Sequence, residues 1–126
     1  MGLRTPLGQV RGLGSAKEGT GHFWIQRLTA LALLPLMIWF VASIACLAGA
    51  DHAQVVEWLS SPFAAVFMIL MIGTGFYHLK LGIQVVIEDY IHSAWFKTGS
   101  LIGVTFICIV LGLACILAVL KLAVGG

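Results

Sequence analysis

Charge is scarce in this sequence. Only 10% of its 126 residues are Asp, Glu, Lys or Arg, while 60% are hydrophobic. A soluble domain carries roughly 25% charged residues. So short a chain cannot hide that much apolar surface from water. A soluble globular protein is excluded and a membrane protein of one domain, residues 1–126, is predicted.

Other absences narrow the class further. The three cysteines, Cys46, Cys108 and Cys115, are odd in number and lack CxxC spacing, so neither a disulfide framework nor a zinc site is suggested. They read as small apolar residues within helices. The stretch GLGSAKEG has glycines and a lysine but not the spacing of a phosphate loop, and no strand precedes it. Pro6 stands where a myristoylation signal needs Ser or Thr. The polar lead and the apolar run after it are both too long for a secretory signal, so cleavage is not expected. There is no internal repeat, low-complexity tract or soluble domain. Three helices and short loops leave little room for independent catalysis, so the chain is expected to work within an assembly.

What is present is three long apolar runs: Leu28–Ala50, Pro62–Ile87 and Gly99–Leu120. Each reaches the ~20 residues that cross a bilayer as helix. Strands are excluded because backbone groups in lipid must be bonded within the segment. The expectation is an all-α integral membrane protein with helices over about 24–50, 62–89 and 98–122, and an irregular arm over 1–21. Pro35 is a point where the first helix can kink. Arg4, Arg11, Lys17, Arg27 and Lys97 fall on one side of the membrane, only Lys121 on the other, and the loop from Asp51 to Ser61 has no Lys or Arg. This bias puts the N-terminus in the cytoplasm (or the mitochondrial matrix) and the C-terminus outside. The net charge of +2 therefore reflects topology and does not point to nucleic acid. Trp24 and Arg27 suit the cytoplasmic interface and Trp58 the outer one.

The informative stretch is HLKLGIQVVIEDY, residues 78–90. On a helix Asp89 falls within about 20° of His78 and ~16 Å from it along the axis. With Asp89 at the cytoplasmic interface, His78 sits near the bilayer midplane. Gly75 and Gly82 flank His78 on roughly the same face, leaving space for a flat group against the backbone. Two readings fit: an axial ligand to haem b iron, or a packing histidine hydrogen-bonded across a helix interface. His22, His52 and His92 are too shallow to be the second axial ligand, so another chain would supply it. Lys80 lies on the opposite face, placed to snorkel. Asp89 and Tyr90 also admit two readings, a polar helix end or a site where a phenol hydroxyl meets a quinone carbonyl.

The pattern HFWIQRLTA at the start of the first span, then H-x10-DY closing the second of three, resembles the small hydrophobic membrane-anchor subunit of succinate dehydrogenase, the D-type anchor of complex II. The arm RTPLGQVRGLGSAKEGTGHFW is similar to that of bacterial members related to mitochondria. The resemblance covers the chain from about Arg4 to the third span. It implies a helical bundle with a C-type partner anchor, which supplies the second ligand to a shared haem b. His78 matches the haem iron ligand. Tyr90 and Asp89 match residues at a ubiquinone site. Arg27, with Trp24 beside it, matches the haem and quinone vicinity. The implied partners are that anchor, an iron–sulfur subunit, a flavoprotein subunit and lipid. The implied place is the bacterial inner membrane as a multi-pass protein with a periplasmic C-terminus. The implied role is in respiratory electron transport and the tricarboxylic acid cycle, with no activity of the chain alone. Two other readings stay open: a fumarate reductase-type anchor, and a small proton-transport subunit using His78, Lys80 and Asp89.

Overall fold

The computed structural model describes residues 5–7 and 16–125, with residues 16–20 described by their backbone alone. The chain runs through α1 (Ala16–Cys46), α2 (His52–Ser60), α3 (Pro62–Tyr90) and α4 (Ala94–Gly125). No strand occurs among the described residues. Three stretches are long and apolar enough to cross a membrane, Gly21–Cys46, Pro62–Tyr90 and Ala94–Gly125, so the predicted all-α architecture of three spans holds.

The helix ends differ from expectation for local reasons. α1 begins at Ala16, so part of the expected irregular arm is helical. The rest of that arm lies outside the described residues, apart from 5–7. Helix there needs no apolar period, because a helix that leaves the bilayer is solvated on all sides. α1 stops at Cys46, short of residue 50, where Gly49 takes a positive φ of 82°. A left-handed residue of this kind closes a helix and reverses the chain. Pro35 sits inside α1 without ending it. α4 starts at Ala94 because the turn is only Ile91 to Ser93, and the Lys97 amide already bonds the Ser93 carbonyl at 2.8 Å.

The expected plain loop after the first span contains α2. Its start is a reciprocal cap: the Gln54 amide donates to Asp51 Oδ1 and the Asp51 amide to Gln54 Oε1, both at 2.9 Å. Such a capping box satisfies two otherwise free donors. Val55, Trp58 and Leu59 share one face of α2, with Leu59 packed against Ala65 and Val119. Trp58 is half-buried on that face. It stacks on Trp39 of α1 with ring centroids 5.7 Å apart. Ser60 Oγ lies 3.1 Å from the Leu122 carbonyl, tying α2 to the end of α4.

α3 is the middle helix. It packs along α1 on one side and α4 on the other, while α1 and α4 share no contact among the described residues. The α3–α4 seam is close where Gly112 lies against Phe76: a Cβ at Gly112 would meet that ring at 3.6 Å. The α1–α3 seam is looser, and no described residue of α1 is fully buried. Cys108 is buried, but Cys46 and Cys115 are exposed on the bare surface of the bundle.

Candidate functional site in the seam between α1 and α3

The half-buried positions of α1 include His22, Gln26 and Thr29. Their i, i+4, i+7 spacing puts them on one stripe within about 60° of arc. This stripe faces α3. There His78 Nδ1 lies 2.8 Å from Thr29 Oγ1. Thr29 Oγ1 also lies 2.9 Å from the carbonyls of Ile25 and Gln26, one turn back. His78 Nε2 makes no hydrogen bond among the described residues, and His78 is half-buried.

Space beside His78 can be read from its glycines. A Cβ at Gly82 would meet nothing within 4 Å, and one at Gly75 only Leu33 Cδ2 at 3.9 Å. A cleft of about 250 Å³ runs along the seam at Leu33, Met37, Gly75 and Leu79. Higher on the stripe, His22 Nε2 and Gln26 Oε1 are buried without a hydrogen-bond partner. Unpaired buried polar atoms are costly, and no described residue satisfies these two. An unbonded imidazole nitrogen, a side-chain-free strip of α3 and orphaned polar atoms nearby fit one half of a haem site. Among the described residues no three His, Cys, Asp or Glu cluster as a metal-ion site. One imidazole per chain is what a haem shared between two chains requires.

The other predicted residues sit apart. Asp89 and Tyr90 are exposed at the end of α3, Tyr90 at 77%, about 16–18 Å along the axis from His78. Neither side chain has a hydrogen-bond or ring partner among the described residues. Arg27 and Trp24 are exposed and point away from the seam. The Arg27 guanidinium lies over the Phe23 ring at 5.0 Å, and Trp24 meets Phe23 edge-on at 6.3 Å. Lys80 faces α4, where it lies near the Tyr77 ring at 5.9 Å and lines two clefts with Thr105. His78 and Lys80 therefore look into different seams. Sequence reasoning missed Thr29, Gln26 and the inward position of His22. The available signal was their helical spacing opposite a histidine within the membrane.

Comparison with known proteins bears on this site. The model of the family described as succinate dehydrogenase/fumarate reductase transmembrane subunit matches residues 1–112. The succinate dehydrogenase hydrophobic membrane anchor subunit of Paracoccus denitrificans is 32% identical over 102 residues, covering 81% of this chain and 79% of its own. The subunit of the same name from Rickettsia bellii is 31% identical over 117 residues, covering 93% of this chain and 94% of its own.

Proposed function

The chain belongs to the succinate dehydrogenase/fumarate reductase transmembrane subunit family, and from that premise we propose that it is the small hydrophobic anchor of a succinate:ubiquinone oxidoreductase. It holds the iron–sulfur and flavoprotein subunits at the cytoplasmic face of the inner membrane. It co-ligates haem b with a second anchor and lends Tyr90 and Asp89 to the quinone-reduction site. The observation that carries the reading is His78 in the α1–α3 seam, Nδ1 engaged at 2.8 Å and Nε2 unbonded, beside open space at Gly82.

Each residue then has a task. His78 would hold the iron through its unbonded Nε2, and Gly75 and Gly82 leave space on that face of α3. Bound there, haem b supplies one-electron redox chemistry tuned by its ligands, burial and hydrogen bonds. At the helix end the Tyr90 hydroxyl donates to a quinone carbonyl, and Asp89 orients a basic group of the partner anchor. The relatives' names favour succinate oxidation over fumarate reduction. Co-purified quinone checks the direction, since low-potential menaquinone suits fumarate reduction.

The test is a reduced-minus-oxidised visible spectrum of the complex purified through a tag on this chain. The expected result is a b-type band that disappears in His78→Ala while flavin and iron–sulfur subunits still co-purify. An unchanged band in that variant removes His78 from the site.

A further inference from the structure

An imidazole that holds iron through Nε2 must carry its remaining proton on Nδ1, and that proton needs an acceptor. Resting on the haem reading above, we infer that Thr29 is the positioning residue for His78: its hydroxyl oxygen accepts the Nδ1 proton, sets the ring tautomer and holds the ring plane so that Nε2 faces the iron.

Iron ligation at Nε2 sets the direction of this bond, and the geometry accommodates it. Thr29 Oγ1 has one proton, and two carbonyl oxygens of the preceding turn lie 2.9 Å away to take it. A hydroxyl that donates backward along its own helix keeps its lone pairs for an outside donor. The outside group in reach is His78 Nδ1 at 2.8 Å. Both side chains are half-buried, on facing positions of α1 and α3. No other polar group among the described residues bonds that nitrogen. His78 and Thr29 lie within spans of the membrane, where water is not at hand to replace a lost acceptor. Thr29 is β-branched, so its own rotamer is stiff in a helix, and the stiffness passes to the ring it holds.

Such an acceptor has an electronic effect as well as a geometric one. A bond accepting the Nδ1 proton makes the imidazole a stronger donor at Nε2. That stabilises ferric over ferrous iron and lowers the haem potential. Removing the acceptor shifts the potential upward and loosens the iron–histidine bond.

The experiment compares Thr29→Val, which keeps the shape and removes the hydroxyl, with Thr29→Ser, which keeps the hydroxyl, in the intact complex. The readouts are the haem midpoint potential by redox titration and the rate of haem transfer to excess apomyoglobin. Thr29→Val is expected to shift the potential positive and lose haem roughly tenfold faster. Thr29→Ser is expected to match the wild type. Thr29→Val equal to wild type in both readouts, or Thr29→Ser displaced as far as Thr29→Val, overturns the inference while leaving haem ligation by His78 intact. A wild-type complex without a b-type band overturns the haem reading and this inference together. Electron–nuclear double resonance of the ferric haem then compares the axial imidazole Nδ1 protons of the wild type with those of Thr29→Val. One hydrogen-bonded proton is expected to become free in the variant, and identical spectra overturn the inference.

Discussion

At the residue scale, the site divides into a buried part and an exposed part. His78 is legible in the sequence because an imidazole inside an apolar run is costly and therefore conspicuous. Thr29 is not legible, because a threonine in a membrane helix satisfies its hydroxyl on its own backbone and is common. Only the facing of α1 and α3 makes it the partner of His78, 49 residues away. Tyr90 is legible as a residue and not as a site, since it is 77% exposed at the end of α3. If its phenol donates one hydrogen bond to quinone, Tyr90→Phe should lower the ratio of quinone-linked to soluble-acceptor-linked succinate oxidation by about 2- to 10-fold, the worth of one such bond. Parallel assays with a short-chain ubiquinone and a soluble dye measure this ratio. An unchanged ratio removes Tyr90 from the quinone site.

At the element scale, the spans follow from composition while the short helix does not. The run Leu28–Ala50 extends past the end of α1 because Leu47, Ala48 and Ala50 are apolar without being helical, and hydropathy does not see the positive φ of Gly49. α2 was readable from the spacing of Asp51 and Gln54 and from Val55, Trp58 and Leu59 one turn apart. Its lack of Lys and Arg marks the same segment as a topological loop, which says nothing of its backbone. Asp51→Ala removes one arm of the capping box and should cost about 1 kcal/mol, measured as lowered thermal stability of the detergent-purified complex. Gly112 marks the tight seam. Gly112→Ala should be tolerated, because its Cβ meets the Phe76 ring at an ordinary 3.6 Å. Gly112→Leu should overpack the seam and cost about 1–3 kcal/mol, seen in the same melt.

At the scale of the whole molecule, three helices lie in an open layer with α3 in the middle. In the apolar window of α1 none of the residues is buried, and in those of α3 and α4 only 11% and 17% are. Lipid or other helices must cover the rest, and the orphaned polar atoms of His22 and Gln26 lie in the looser of the two seams. If the proposed second anchor covers this surface, the chain made without it should fall well below its normal level, as measured by immunoblot of membranes from cells lacking that anchor. The distribution of Lys and Arg predicts the orientation. Alkaline phosphatase fused after Gly126 should be active outside the cytoplasm, and a fusion in the loop at His92 inactive. The opposite pattern would invert the topology.

Membrane residence, three spans, their all-helical nature and the unusual place of His78 were determined by the sequence itself. Each depends on a quantity summed along the chain: apolar length, backbone satisfaction within a segment, or the position of one ionisable group. The tertiary structure alone decided that α3 is central, that His78 faces α1 while Lys80 faces α4, that Trp58 packs inward, and that Thr29 meets Nδ1. These depend on which stripe of one helix meets which stripe of another. In a helix apolar almost all round, hydropathy marks no preferred face, so the choice falls to shape and to a few polar contacts between residues far apart in the chain.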